Sequence, residues 1–376
     1  MQLWLLRMHH GPCYVNDSGR YLAYGRRIAE EWFFEHDHQL RYLGYPLFIS
    51  FWLKVKAGRW GIVLGQMAVS ALAAGGFYDA VRRLARGSTL PALAATAALV
   101  LWRDTQQFNV YILTESLFTS GTILSFWALV RARTWQGWLL LGVIVSLTAM
   151  VRPNGFIVPV AAGLAGLTAL YHLPNPRPFR LAMVLVVCSL PLMWFVLNKL
   201  LLTFTLIETY QRGEVIYGYS AWVVQPTAPL NLPPPLPLMS PVMRLGYFIV
   251  HNPVFFTKLA FLKLGLFFSY AKTYYSVGHF AAIVAFIYPC YYLAWRGTRR
   301  AAVWLPARVF LATVVLFQGF IVMMTVEDWD VRFLTPVLPC VFALAALDAQ
   351  PWLEKVQQRA TKDAQEPRSG HQALRA

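Results

Sequence analysis

Acidic residues are scarce in this chain: 17 Asp and Glu stand against 33 Lys and Arg in 376 residues, and charged residues of both signs make up only 13%. An ordinary soluble domain carries about 25%, so a water-exposed globular surface of the usual kind is excluded. Cysteine is equally scarce. Cys13, Cys188, Cys290 and Cys340 are scattered, three of them within apolar runs, which argues against a paired-cysteine metal site and is read as small buried hydrophobes. Also missing are a glycine-rich phosphate loop, a dinucleotide fingerprint and a serine nucleophile elbow, so ATP-driven transport and nucleotide-sugar donors have no support. No long apolar run precedes the first polar segment. Leu3, Trp4, Leu5 and Leu6 are followed by Arg7, which is neither a signal peptide nor the roughly 20 residues a membrane span needs.

What the chain has in excess is apolar surface: 57% hydrophobic residues, 15% aromatic residues and a mean hydropathy of +0.48. The composition is that of an all-α polytopic membrane protein. The net charge of +16 does not point to nucleic acid, because the basic residues sit in short loops between apolar runs, the pattern that orients a chain in a membrane. Arg82, Arg83 and Arg86 follow the run 60–81, Arg131 and Arg133 follow 108–130, and Arg296, Arg299 and Arg300 follow 279–295. With those clusters in the cytoplasm, 103–107, the segment 205–250 and the turn 327–332 fall on the outer face, and the Arg152-Pro153-Asn154-Gly155 break lies near that face or recessed in a cavity. The proline-rich segment 205–250 is expected to be an external loop with an extended core. The run 255–270, carrying Lys258 and Lys263, is expected to be interfacial or re-entrant, and 333–347 to be the last crossing. Residues 1–348 then form one transmembrane domain, and 349–376 a polar cytoplasmic tail without regular structure.

Before the first apolar run stands one long polar and aromatic segment, 16–46. Asn16, Asp17 and Ser18 are helix-starting side chains, and Tyr21, Leu22, Gly25, Ile28, Ala29, Trp32 and Phe33 recur on a helical stripe. Arg20, Arg26, Arg27, Glu30 and Glu31 fall off it. Such a helix is expected to lie in the membrane interface, with Asp17 at the water boundary. Glu35-His36-Asp37-His38 follows, then Arg41 to Pro46, where proline fixes the turn into the bundle.

An acidic residue early in a first external loop, a short helix ending in Gly44-Tyr45-Pro46-Leu47-Phe48, and then a bundle of spans resemble the GT-C class of membrane glycosyltransferases. The class includes the protein O-mannosyltransferases and the aminoarabinose transferases of lipid A. Thr114-Glu115 at a helix end, Arg152-Pro153-Asn154-Gly155, and Arg332-Phe333 before Pro336 also resemble it. The resemblance implies a GT-C-like helical bundle with an interfacial helix in its first external loop, in a bacterial inner membrane with the site on the periplasmic face. It implies an inverting transfer of a sugar from a polyprenyl-phosphate carrier to a lipid, glycan or protein acceptor, and leaves sugar and acceptor open. The chain departs from the pattern at its start, where relatives have a complete transmembrane helix before the acidic loop; either the true start lies upstream or that helix is lost.

On this resemblance Asp17 is the general base that takes the acceptor hydroxyl's proton, while from the sequence alone it is equally a helix cap. Glu115, an ionisable group at the end of an apolar helix, faces substrate or pairs with an arginine. Arg332, whose planar fork suits a phosphate, holds the carrier phosphate or makes an external ion pair with Glu327 or Asp330. Arg152 is a further substrate-binding candidate. Lys258 and Lys263 bracket the donor phosphate or snorkel to headgroups. His36 and His38 are candidate ligands for a divalent metal, which some enzymes of the class contain in this region. The competing reading is a transporter or flippase that binds the same carrier without chemistry, or an inactive relative. A transporter would show broken helices at matching positions in two halves, and one break is legible, at Pro153.

The arginine clusters make the topology testable: cysteines placed near Asp17, Thr105, Leu230 and Asp328 are expected to react with an impermeant thiol reagent added outside. Labelling at Arg86 or Arg299 from that same side would dismantle the common outer face.

Overall fold

The computed structural model describes residues 1–35, 38–203, 206–215, 231–325 and 331–365. Among them the chain is almost entirely helical, without a strand beyond one isolated parallel bridge between Cys13 and Tyr111. The order begins with α1 (Gln2–Met8), α2 (Asn16–Glu31), α3 (Gly44–Lys54), α4 (Gly58–Leu84), α5 (Thr89–Leu101) and α6 (Arg103–Gln107). Then come α7 (Thr114–Arg131), α8 (Trp135–Ala149), α9 (Ile157–Tyr171), α10 (Arg177–Thr203) and α11 (Leu206–Gln211). The chain continues with α12 (Pro241–His251), α13 (Pro253–Ser269), α14 (Val277–Ala282), α15 (Tyr288–Arg299), α16 (Leu305–Met324) and α17 (Leu338–Gln365).

Among the described residues five stretches are long and apolar enough to cross a membrane: 58–84, 153–171, 177–199, 277–299 and 305–324; α12 and α13, bent by 104° at their junction, make a sixth if taken as one broken span. The chain is thus a multi-pass integral membrane protein by the length and composition of its helices. The stretch 177–199 buries none of its apolar window against the rest of the protein, as a helix facing lipid requires. α5, at 13 residues, is only about 20 Å long and falls short of a bilayer core by itself. The buried end of α17, from Leu338 to Leu347, lies in the centre of the packing.

Several sequence expectations change. The helix expected over 108–130 begins only at Thr114, because 108–110 turn back on the end of α6, where Asn109 N–H donates to Gln106 O and Val110 N–H to Gln107 O, and the next residues are tied to the segment before α2: Cys13 N–H donates to Val110 O at 2.8 Å and Ile112 N–H to Cys13 O at 3.1 Å. The supposed loop 205–250 contains α11 and α12, and its residues 216–230 lie outside the described ones. The expected tail is helical to Gln365, so the boundary drawn at 348 falls inside α17. Residues 352–365 are rich in Glu, Lys, Gln, Arg and Ala, all strong helix formers, and Gln350 donates to Glu354 one turn on, which outweighs the polarity that suggested disorder. Only Cys340 is buried; Cys188 is exposed on α10. On α2 the buried face is Tyr21, Tyr24, Gly25 and Ile28, whereas Trp32 and Phe33 are exposed past the helix end, where Trp32 takes a left-handed backbone conformation.

Two breaks position the site. Arg152, before Pro153, is driven to an extended conformation (φ −144°, ψ 155°), and Pro153 to Phe156 form a single 3₁₀ turn before α9 resumes. Gly155 packs so tightly beneath the end of α8 that an added Cβ would strike the Ala149 carbonyl oxygen. Gly44 N–H donates to Met150 O at 2.9 Å, docking the start of α3 on the same turn. Replacing Gly155→Ala is therefore expected to destabilise the protein by about 1–3 kcal/mol. A thermal unfolding midpoint in detergent equal to wild type would show that this turn can open at no cost.

Candidate functional site

The tie between residues 13 and 110–112 sets the N-terminal ends of α2 and α7 side by side. Ser18 reinforces it, its hydroxyl accepting from Val15 N–H at 3.0 Å and donating to Ile112 O at 2.9 Å. Val15 is the N-cap of α2, so the capping reading of Asp17 is displaced: its carboxylate, in the first turn, is bonded by Arg20 and Arg332 instead. Glu115 occupies the matching first turn of α7. Both helix N-termini favour negative charge at these positions.

Two arginines close on the carboxylates from distant parts of the chain. Arg332 Nε donates to Glu115 Oε1 at 2.5 Å and its Nη1 to Asp17 Oδ2 at 2.8 Å. Arg152 Nη1 lies 3.3 Å from Glu115 Oε1 and donates to the Arg332 carbonyl at 3.4 Å. Arg20 reaches Asp17 Oδ1 from one turn along α2, at 3.2 Å. Thus three guanidiniums face two carboxylates, leaving one positive charge in excess.

Burial divides the cluster. Glu115 is fully enclosed and Arg152 is 5% exposed, with Phe118 and Phe333 against its guanidinium plane. Asp17 keeps 31% of its side chain open. A buried carboxylate in an apolar bundle is tolerable only with such partners, whereas Asp17 faces an accessible space. Tyr21 forms the wall: it is buried, meets Tyr45 and Tyr42 ring to ring at 5.3 and 5.4 Å, and carries Arg20 over its face. Burial first, then Tyr42 and the two carboxylates push the Tyr21 phenol pKa up, so the hydroxyl stays a proton donor. Burial works against the charge on Arg332, but Glu115 and Asp17 more than offset it and raise its pKa.

Four of the residues singled out from the sequence, Asp17, Glu115, Arg152 and Arg332, therefore meet. For Glu115 the arginine-partner alternative is realised, and its partners are Arg332 and Arg152. The expected pairing of Arg332 with Glu327 or Asp330 falls on residues outside the described ones. Lys258 and Lys263 do not bracket a common point: five residues at 3.6 per turn face widely different directions, and Lys258 is exposed while Lys263 is completely buried. His36 lies outside the described residues, and of His38 only its place at the start of a 3₁₀ turn is described. Among the described residues no group of three His, Cys, Asp or Glu side chains could hold a metal ion.

Sequence reasoning passed over Arg20 as a mere off-stripe charge, although its spacing from Asp17 is that of a helical ion pair. It also missed a second polar cluster. Asp104 Oδ2, buried, accepts from Tyr270 OH at 2.7 Å and lies 3.0 Å from His279 Nε2, and Trp102 Nε1 donates to the same tyrosine oxygen at 2.8 Å. Nothing in the spacing of Asp104, Tyr270 and His279 announces it; a lone aspartate in a short loop was the available signal.

The different burial of the two carboxylates predicts different costs. Glu115→Gln leaves enclosed guanidiniums without their counter-charge and is expected to lose about 3–5 kcal/mol. Asp17→Asn, with 31% of the side chain open to water, is expected to change stability by less than about 1 kcal/mol. Equal thermal shifts for the two variants in the same detergent would contradict this division.

Against this geometry, no protein-family model matches the chain, and no curated protein and no solved structure matches it.

Proposed function

We propose that this chain is a GT-C-type membrane glycosyltransferase, moving a sugar with inversion from a polyprenyl-phosphate carrier to an acceptor at the external membrane face. The observation that carries the reading is the meeting of Asp17, Glu115, Arg152 and Arg332 from four separate segments, with only Asp17 substantially open among the two carboxylates. Each matches a motif through which the sequence resembles that class. In this reading α2 is the interfacial helix of the first external loop, and the bundle of spans is the GT-C scaffold in a bacterial inner membrane.

The chemistry assigns each group a task. The acceptor hydroxyl oxygen attacks the anomeric carbon, its proton passes to Asp17, and the bond from that carbon to the phosphate oxygen breaks with its electron pair on the departing polyprenyl phosphate. Arg20 and Arg332 each take one carboxylate oxygen of Asp17 and fix its orientation. Glu115 holds Arg332 and Arg152 in place and, being enclosed, touches no substrate itself. The excess positive charge of the cluster favours the phosphate as its charge grows on departure. Tyr21 supplies a neutral donor beside Asp17.

Asparagine preserves the shape of Asp17 and cannot accept the proton. Asp17→Asn is expected to lower turnover by roughly 10²–10⁴-fold with a native unfolding midpoint, followed by mass spectrometry of transfer from a polyprenyl-phosphate sugar. Near wild-type turnover would remove Asp17 from the mechanism. Carrier binding without any transfer by the wild type would favour the non-catalytic transporter reading.

A further inference from the structure

Of the buried polar atoms left without a partner, Lys263 Nζ is unlike the rest. Arg244 and Arg308 each have an unpartnered Nε, but Arg244 Nη1 lies 3.6 Å from Glu208 and Arg308 Nη1 donates to Thr298 O. Lys263 carries all its donors on one atom, it is 0% exposed, and that atom has no hydrogen-bond acceptor among the described residues. An enclosed ammonium with no acceptor forfeits its hydration for nothing, which folded proteins avoid unless something else supplies the acceptor.

The surroundings attract the ammonium at two points without satisfying it. The Tyr210 ring lies 4.3 Å from Nζ, an attraction that favours the charge and accepts no conventional hydrogen bond. The Tyr210 hydroxyl is committed elsewhere, donating to Met323 O at 2.6 Å. Glu214 acts on Lys263 through space, yet its carboxylate is bonded to Arg212 Nε at 2.5 Å. The walls are apolar: Phe248, Leu259, Ala260 and Met324 are buried in one cluster with Tyr210.

Outside this core the surface is lipid-like. Val250, Val254 and Phe261, at the α12–α13 bend and on α13, are 73%, 64% and 65% exposed. An anion that reaches a cation through such a surface is best delivered on an apolar chain. A compact ammonium on a flexible stem suits phosphate oxygens as a point charge.

We propose that Lys263, seated on the Tyr210 ring midway along α13, is a binding site for a phosphate group, carried on a lipid or free. The site is separate from the ion cluster of Asp17, Glu115, Arg152 and Arg332 and stands whether or not that cluster transfers sugars.

The test uses the purified full-length protein in maltoside micelles and three probes by calorimetry: farnesyl phosphate, farnesol and inorganic phosphate. Wild type is expected to bind farnesyl phosphate more tightly than farnesol, and Lys263→Met to weaken that binding about tenfold to a hundredfold, the range of a hydrogen bond to a charged group. Lys263→Gln, the second variant should Lys263→Met not purify, is expected to weaken it similarly. With no ligand, Lys263→Met is expected to unfold at the wild-type temperature or above, since it removes an unpaired buried charge. Inorganic phosphate binding that depends on Lys263 as strongly would support the site with free phosphate as its source. Equal affinity for farnesyl phosphate in wild type and variant, farnesol binding as tightly as farnesyl phosphate, or a marked loss of ligand-free stability in Lys263→Met would each overturn the proposal.

Discussion

The structure turns on one buried charge. Glu115 is enclosed by the bundle, and a carboxylate in such a place is stable only while cations stay within hydrogen-bond reach. That requirement pulls in Arg332 from the approach to the last helix and Arg152 from the break between α8 and α9. Each arginine then carries local structure with it. Arg152 stands before a proline and a 3₁₀ turn, and Arg332 follows Val331, whose φ of 56° is an unusual conformation for a β-branched residue. The carboxylate thus fixes not one contact but the course of two chain reversals.

Around this anchor the open part of the site is built from short-range features. Asp17 and Arg20 are neighbours on one helix, and the tyrosines of α2 and the approach to α3 form a continuous aromatic wall. Tyr45 is itself held from below: its hydroxyl donates to Gln66 at 2.6 Å, and Gln66 donates to the carbonyls of Asn109 and Tyr111. The same strip, 109–112, thereby supports both the floor of the site and the start of α7.

The helical, membrane-spanning character of the chain and the identities of the clustered residues were legible because both depend on local contrast. An ionisable residue beside an apolar run is conspicuous wherever it falls, and Asp17, Glu115, Arg152 and Arg332 each stand in such a place. Their pairing was not legible, since Arg332 lies far from both carboxylates in sequence and no spacing rule links them. The onset of α7 was misjudged for a related reason: 108–113 is apolar enough to continue a helix, but a turn at the end of α6 and hydrogen bonds to a distant segment interrupt it. Helix formation beyond 348 was missed because polarity was weighed above backbone preference. The opposite fates of Lys258 and Lys263 depend on which face of α13 meets α11 and α12, a packing outcome absent from local composition.

The link between residue 13 and the strip 110–112 passes through main-chain atoms alone. Its geometry is therefore indifferent to which side chains stand at Cys13, Val110 and Ile112, provided none is proline. Substitution along this seam can repack the core beneath the two helix origins that carry Asp17 and Glu115 without cutting the tie between them. Core packing and the spacing of the charged groups thus rest on different atoms of the same strip, so one can change while the other is inherited unchanged.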